Sequence, residues 1–332
     1  MKFALVVGTT ETATIDGISA AGADPEATYH TPGADLELVS YGSPVFAPTV
    51  PVSPSGCPTP AVITRSVREL LDFEVLPVEA GLATRTAAPT VAVGDEPGRD
   101  IRDPEPVPNA ELIFERARTV GHRLPDDEVY VGESIPGGTT TALAVLTALG
   151  EPHGVSSSLP SNPVDLKRRV VSAALEASNL GEGDADGEPL RAVQLMGDPV
   201  LPAVTGIAVG AIEGGAEVTL AGGTQMVAAS ALLRHFGVDK SFSLATTSFV
   251  DEDETADVRE AAQNLDIELT VTNPGFDRSE HVALRQYCRG EAKEGVGMGG
   301  VLELASHSDF GMRDVRERVV RVYEEVLEFD GP

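Results

Sequence analysis

The segment EVTLAGGTQM, residues 217–226, contains the folding unit of this chain: a short apolar stretch, two glycines, and the start of a pattern with helical periodicity. Short apolar stretches at residues 192–196, 217–220, 242–246 and 268–271 alternate with such helical patterns. This alternation is typical of βαβ units, in which parallel strands are joined by helices. We therefore predict an α/β fold with a mostly parallel sheet flanked by helices, a Rossmann-like three-layer arrangement.

Composition shifts along the chain predict a division into a core and a smaller subsidiary domain. Residues 94–108 are acidic and rich in proline, which is typical of a boundary or an exposed excursion. We expect a substrate-binding and catalytic core at residues 106–300, and a subsidiary domain formed by the chain ends, residues 1–105 and 301–332. Residues 43–60, dense in proline and serine, are predicted to cross the surface. Further strands are predicted at 1–8, 73–78 and 129–131, and helices at 61–72, 109–119, 139–149, from 163 onward, and 313–328.

The charge of the chain limits its partners. Its 332 residues carry a formal net charge of −28, and lysine is scarce. A large negative field repels nucleic acid and anionic lipid, so we expect neither as a partner. Acid excess is also typical of proteins adapted to high internal salt, so we predict a halophile protein that loses stability as salt is removed. The four lysines are Lys2, Lys167, Lys240 and Lys293.

The chain shows no sign of a membrane span or a metal site. No apolar run reaches the roughly 20 residues that a spanning helix needs, and the first eight residues are too short and too quickly polar for a signal peptide. We therefore predict a cytoplasmic protein. The two cysteines, Cys57 and Cys288, and the six scattered histidines have no metal-ligand spacing, so we predict no metal. Neither a dinucleotide fingerprint nor a P-loop is present, and we predict no cofactor.

Three glycine-containing turns are predicted to form an anion-binding site. The first turn, at residues 132–141, follows a predicted strand and precedes a predicted helix. Glycines at such a helix N-terminus let backbone N–H groups approach a phosphate or a carboxylate. In an open parallel sheet, ligands lie beyond the carboxyl ends of the strands, so we expect these turns to converge on one crevice. The candidate binding residues are Glu133, Gly137, Gly138, Thr139 and Thr140 in the first turn, Asp198 in the second, and Gly222, Gly223 and Thr224 in the third.

The run KEGVGMGG, residues 293–300, places a carboxylate and an ammonium beside a fourth glycine-rich turn. Glu294 is a candidate proton acceptor, and Lys293, Gly295 and Gly297 are candidates for holding an anion. An anionic ligand that approaches so acidic a protein needs local positive charge, which makes the scarce Lys167 a further candidate.

These segments occur in the same order in a known enzyme family. Gly132-Glu133 with Thr139-Thr140, the helix around Lys167, Gly197-Asp198-Pro199, Gly222-Gly223-Thr224, and Lys293-Glu294-Gly295-Val296-Gly297 resemble the nicotinate mononucleotide:dimethylbenzimidazole phosphoribosyltransferases, over roughly residues 128–305. The chain looks most like a divergent archaeal, haloarchaeal branch of that family.

The resemblance implies a function and roles for matching residues. It implies phosphoribosyl transfer from nicotinate mononucleotide to a benzimidazole-type base, without a cofactor, by a homodimer. Glu294 stands at the position of the general base, Glu133 at that of a second active-site carboxylate, and Lys167 at that of a lysine that reaches the phosphate. Two positions depart from the family pattern, since Lys293 and Ile135 stand where glycines are usual.

The sequence is compatible with two alternative functions. The acidic run at residues 251–254 after a strand suggests a phosphoribosyl diphosphate-dependent transferase, although the glycine-rich phosphate loop that should follow is missing. A non-catalytic protein of the same fold that binds a nucleotide or a corrinoid precursor is the other alternative, and Ile135 and Lys293 are the residues that allow it.

Overall fold

A computed structural model describes residues 1–19, 25–48, 52–53, 55–151 and 154–328. In these residues one sheet contains seven strands, all parallel, in the order β3-β2-β1-β4-β5-β6-β7. The predicted parallel α/β fold is confirmed. The strands are β1 (Lys2–Val7), β2 (Val75–Glu79), β3 (Val91–Ala92), β4 (Glu128–Ser134), β5 (Glu217–Ala221), β6 (Ser243–Thr247) and β7 (Glu268–Thr272).

Thirteen α-helices and two short 3-10 helices connect the strands in the described part of the chain. The 3-10 helices are Glu11–Thr14 and Phe276–Arg278. The α-helices are α1 (Pro25–Tyr41), α2 (Ala61–Leu71), α3 (Ala110–His122), α4 (Gly138–Leu149), α5 (Val164–Ala177), α6 (Pro189–Met196), α7 (Val200–Gly214), α8 (Thr224–His235), α9 (Ser248–Asp251), α10 (Val258–Asn264), α11 (Val282–Tyr287), α12 (Met298–Ser306) and α13 (Met312–Leu327).

The strand predicted at residues 192–196 is wrong. These residues form the second half of helix α6. Pro189 stands in the first turn, where a missing N–H costs nothing, and Ala192, Val193 and Met196 are buried on one helical face. A second, smaller correction concerns Pro163, which is predicted as the first helical residue but takes the N-cap position of α5, so that the helix begins one residue later, at Val164.

Alternating side chains of β1 show how the sheet divides the core into two layers. Ala4 and Val6 point to a cluster that contains side chains of helices α3–α8 and α10. Phe3, Leu5 and Val7 point to a second cluster, shared with α1, α2 and α11–α13. Since successive side chains of a strand face opposite sides, a strand that is apolar at every position must be covered on both. The sheet is therefore the middle of three layers.

The position of β1 decides where a ligand crevice can form. Residues 1–105 contribute β1, β2 and β3, and the chain then returns to place β4 on the other side of β1. One sheet therefore contains strands from both sides of the boundary predicted near residue 105. This reversal of strand order is a topological switch point, and the carboxyl ends of the strands beside it are the usual site of a crevice in such sheets. No helix in the described residues has the length and apolarity to span a bilayer.

Candidate active site

A cavity lies beyond the carboxyl ends of β4 and β5. Its wall combines the turn after β4, the turn after β5, the loop before α12, and side chains of α1 and of residues 52–53 and 57–60. Three of the four glycine turns singled out in the sequence therefore meet at one place. The predicted site residues that line the cavity are Glu133, Gly137, Gly138, Thr139, Gly223, Thr224, Lys293, Glu294 and Gly295.

Glu294 presents one carboxylate oxygen without a partner. Its Oε1 accepts hydrogen bonds from the backbone N–H of Gly299 at 2.8 Å and of Gly295 at 3.3 Å. Its Oε2 is buried and has no hydrogen-bond partner among the described residues. Burial raises the pKa of Glu294 from 4.5 to about 8, against the opposing effect of the backbone hydrogen bonds. A carboxyl group with these properties exchanges a proton near neutral pH.

The loop that carries Glu294 is held from several sides. The N–H of Val296 donates to the backbone oxygen of Glu133 at 2.6 Å, and the Thr247 hydroxyl donates to the backbone oxygen of Lys293 at 2.7 Å. Gly295, Val296 and Gly297 all have positive φ, and the value of 54° at Val296 is costly for a β-branched residue. The surrounding contacts therefore maintain a strained turn that fixes the position of the Glu294 carboxylate.

Glu133 is the second acid at the cavity. It is 8% exposed at the end of β4, and burial raises its pKa to about 8, with further contributions from the negative charges of Asp198 and Glu294. The hydrogen bond from the Val296 N–H to the backbone oxygen of Glu133 joins the segments of the two glutamates. Since like charges disfavour each other's ionisation, the pair retains a proton at neutral pH.

Two helix N-termini face the same cavity. Gly137 and Gly138 begin α4, and Gly223 and Thr224 begin α8, each helix being 12 residues long. A Cβ added to Gly223 would lie 3.3 Å from Cβ of Glu294, so the absence of a side chain there lets the catalytic candidate approach the turn. The partial positive charge at such termini favours an anionic group in the space between them.

Five predicted site residues do not line the cavity. Lys167 is fully buried, and Gly222 and Gly297 are packing positions, since an added Cβ would meet Met226 Cγ at 2.7 Å in the first case and the ring of Phe3 in the second. Thr140 and Asp198 are also fully buried. The five predicted residues outside the cavity lining are therefore Thr140, Lys167, Asp198, Gly222 and Gly297.

The two lysines hold a serine segment rather than an open anion seat. Lys167 Nζ donates to the backbone oxygen of Ser156 at 2.6 Å, and burial, with the nearby charge of Lys293, lowers its pKa to about 7. Lys293 Nζ donates to the backbone oxygens of Ser157 at 2.9 Å and Leu159 at 3.1 Å. Residues 156–158 line the cavity, so Lys167 supports this part of the wall from behind, and Lys293, which itself lines the cavity, supports it from the side.

The acidic run at residues 251–254 takes part in this support. The Asp253 carboxylate accepts hydrogen bonds from the hydroxyls of Ser156 and Thr255, and it lies 3.3 Å from Lys293 Nζ. Asp251 pairs with Arg259. These contacts engage both aspartates with protein groups.

Several cavity residues had no local signal in the sequence. Asp35 on α1 is 2% exposed, and its two oxygens accept hydrogen bonds from the hydroxyls of Thr59 at 2.5 Å and Ser134 at 2.6 Å. Burial raises its pKa to about 7, although those hydrogen bonds lower it. Glu291 accepts from the hydroxyls of Ser53 and Ser55. Gln225 also lines the cavity, and its position directly after the predicted turn at Gly222–Thr224 is a signal that could have identified it.

Two solved structures share this architecture. CobT from Thermus thermophilus superposes with a TM-score of 0.63 at 17% identity, over 97% of this chain and 83% of that one. A nicotinate-nucleotide-dimethylbenzimidazole phosphoribosyltransferase structure, also from Thermus thermophilus, gives a TM-score of 0.62 at 17% identity, over 97% and 82%. The chain therefore has the fold of these phosphoribosyltransferases, and the resemblance predicted from the sequence is confirmed at the level of the fold.

Sequence relatives define the family more narrowly. A UPF0284 protein of Halobacterium salinarum is 58% identical over 325 residues, covering 98% of each chain. UPF0284 proteins of Methanothermobacter thermautotrophicus and Pyrococcus abyssi are 44% and 41% identical, over 98% of this chain and 93% and 97% of theirs. The chain belongs to the UPF0284 family. No protein-family model matches it.

Proposed function

We propose that the protein transfers the phosphoribosyl group of nicotinate mononucleotide to a benzimidazole-type base, giving an α-ribazole 5'-phosphate and nicotinate. The observation that carries the proposal is Oε2 of Glu294, a buried oxygen without a partner on a residue that lines the cavity, in a carboxyl group whose pKa is about 8. The fold shared with a phosphoribosyltransferase supports the same reaction.

The proposed reaction is a single displacement at C1 of the ribose. One nitrogen of the base forms a bond to C1, and the bond from C1 to the nicotinate nitrogen breaks, with its electron pair leaving on nicotinate. The proton on the other nitrogen of the base passes to Oε2 of Glu294. Attack from the face opposite the leaving group inverts the sugar from β to α.

The two glutamates differ in the role that their surroundings favour. Glu294 has one oxygen fixed by two amides and the other oxygen unpaired, which is the arrangement of a positioned proton acceptor. Glu133 lies closer to other negative charge, since both Asp198 and Glu294 raise its pKa. We assign Glu133 to binding, with its proton retained so that it donates a hydrogen bond to the substrate.

The helix N-termini supply the seat for the 5'-phosphate in this proposal. The N-termini of α4 and α8 and the serine segment at residues 156–158 border the same cavity as Glu294. A phosphate held there fixes C1 relative to the attacking base, which lowers the entropic part of the barrier. Lys167 and Lys293 act through the backbone of the serine segment.

Replacement of Glu294 by glutamine tests the assignment. Glu294→Gln keeps the shape and the amide contacts but removes the proton acceptor, so we expect turnover to fall roughly 10²–10⁴-fold while binding of nicotinate mononucleotide is retained. The assay follows nicotinate released from the mononucleotide in the presence of a panel of bases. Wild-type turnover should rise with pH and level off above about 8, where Glu294 is ionised.

Glu303→Gln is the matched control. Glu303 is also a buried glutamate with an unpartnered Oε2, but it lies on α12 outside the cavity, so this variant should keep wild-type turnover. Unchanged turnover in Glu294→Gln would show that the base is another residue. Binding of the mononucleotide without nicotinate release from wild-type protein, with every base tested, would instead favour the non-catalytic alternative.

A further inference from the structure

Gln225 is a buried cavity residue with an unusual hydrogen-bond balance. It is the second residue of α8, it is 4% exposed, and it lines the cavity beside Gly138. Its side-chain nitrogen is surrounded by acceptors, while its side-chain oxygen has none of the donors it needs among the described residues. The residue is therefore satisfied on one side only.

The nitrogen side fixes the orientation of the amide. Nε2 of Gln225 donates to Oδ2 of Asp198 at 2.6 Å and to the backbone oxygen of Gly138 at 2.9 Å, and it lies 3.2 Å from the Thr141 hydroxyl. A flipped amide would place Oε1 against the Asp198 carboxylate and lose these bonds, so the assignment of nitrogen and oxygen follows from the network. Asp198 is itself held by the Thr141 hydroxyl and by two backbone N–H groups at the start of α7.

The oxygen side lacks a donor. A buried amide oxygen without a hydrogen bond is destabilising, and such groups in native proteins usually have a ligand or a functional reason. Among the buried side-chain oxygens without a partner in the described residues, those of Gln225 and Glu294 are the two that belong to cavity-lining residues. Two residues of the cavity wall thus each carry a buried acceptor without a donor, and the two acceptors differ in chemistry.

The chemistry of the two acceptors assigns them to different donors of the substrates. The phosphate of the mononucleotide and the carboxylate of its nicotinate ring are acceptors, which leaves the N–H of the base and the ribose hydroxyls as donors. The N–H proton is lost in the reaction, and only a carboxylate can take it. An amide oxygen cannot accept a proton at neutral pH, and it suits a donor that is kept throughout the reaction.

We infer that Oε1 of Gln225 accepts a hydrogen bond from a ribose hydroxyl of the mononucleotide, with Asp198 as the positioning residue that orients the amide. This inference rests on the proposed function. It gives the fully buried Asp198 a role in substrate recognition without direct contact, and it makes Gln225 a determinant of selectivity for ribose over deoxyribose.

The test measures binding of the mononucleotide alone, without a base, so that no turnover occurs. Calorimetry compares nicotinate mononucleotide with its 2'-deoxy and 3'-deoxy analogues. We expect wild-type protein to bind one of the two analogues about 10- to 100-fold more weakly, the range expected when a buried acceptor loses its donor. Gln225→Met, which removes the acceptor at similar volume, should bind the ribose and deoxyribose forms within about 3-fold of each other.

Gln263→Met is the matched control, since Gln263 is an exposed glutamine of α10 outside the cavity, and it should keep the wild-type selectivity. Equal binding of all three ligands by wild-type protein would overturn the inference, whether or not Gln225→Met folds. Wild-type selectivity that persists in Gln225→Met would also overturn it and would leave the proposed function standing. A wild-type protein that binds no nicotinate mononucleotide would overturn the proposed function itself, and this inference with it.

Discussion

The cavity has two walls that use buried acids in opposite ways. The turn wall consists of residues 133–139, 223–225 and 293–295, and the N-terminal wall consists of Thr31, Asp35 and residues 52–53 and 57–60. In the turn wall, Glu294 keeps one oxygen without a partner. In the N-terminal wall, Asp35 uses both oxygens to accept hydroxyl hydrogen bonds from other segments. The comparison shows that the turn wall leaves an acid oxygen without a protein partner, whereas Asp35 joins the N-terminal wall to the sheet.

Removal of Asp35 is expected to have the largest effect on stability. Asp35→Ala leaves the buried hydroxyls of Thr59 and Ser134 without their acceptor and opens a cavity, so we expect the free energy of unfolding to fall by about 3–5 kcal/mol. Urea unfolding in molar salt measures it. Asp35→Asn is the conservative control, because it retains an acceptor oxygen and the volume, and it should lose less than half as much. A fully stable Asp35→Ala variant would break the comparison between the walls.

Replacement of Glu294 should have the opposite sign. Its folded-state pKa of about 8 lies above the ordinary 4.5, so the folded protein binds the proton more tightly than the unfolded chain. The burial therefore costs no stability below pH 4.5, and the cost grows with pH until it is complete above about 8. We expect Glu294→Gln to match wild-type stability at pH 5 and to exceed it by about 2–4 kcal/mol at pH 9.

Urea unfolding at pH 5, 7 and 9 provides this comparison within one pair of proteins. A stability difference that stays the same at all three pH values would show that Glu294 does not change its ionisation in this range. Glu294 would then resemble Asp35, an acid whose oxygens are engaged by the protein, and the difference between the two walls would disappear. The gain in stability should accompany the loss of turnover, since both follow from the same unpaired oxygen.

The fold was predictable where the signal is local. A strand, a glycine turn and a helix follow one another within residues 217–235, and each is determined by side chains a few positions apart. The mistaken strand at residues 192–196 has the same physical origin, because a short apolar run fits a buried strand as well as a buried helix. Only the packing of Ala192, Val193 and Met196 on one side decides for the helix.

The site, like the fold, was predictable where its residues are marked by a local sequence pattern. Glycines and hydroxyls at strand ends identified most of the turn wall, whereas the N-terminal wall depends on contacts between distant segments. Ser134 lies 99 positions from Asp35 along the chain, and Asp35 stands between Ala34 and Leu36 of α1, so no local pattern marks it. The sequence likewise could not show that Lys167 is fully buried behind the cavity.

Lys167 provides the smallest of the expected effects and tests whether the turn wall depends on support from behind. Lys167→Met removes the hydrogen bond to the Ser156 backbone at similar volume. We expect the KM for nicotinate mononucleotide to rise about 10-fold, the value of one lost charge-assisted hydrogen bond, with kcat nearly unchanged because Glu294 is not touched. Initial rates over a range of mononucleotide concentrations separate the two constants.

Arg168→Met is the matched control, since Arg168 is an exposed cation next along the same helix and should keep the wild-type KM. Melting temperatures should show Lys167→Met as stable as wild-type protein, because the substitution also removes the cost of burying an ammonium whose pKa is lowered to about 7. An unchanged KM in Lys167→Met would mean that Lys293, through Ser157 and Leu159, holds the serine segment alone. The turn wall would then be supported by the loop that carries Lys293 and Glu294, and not by Lys167.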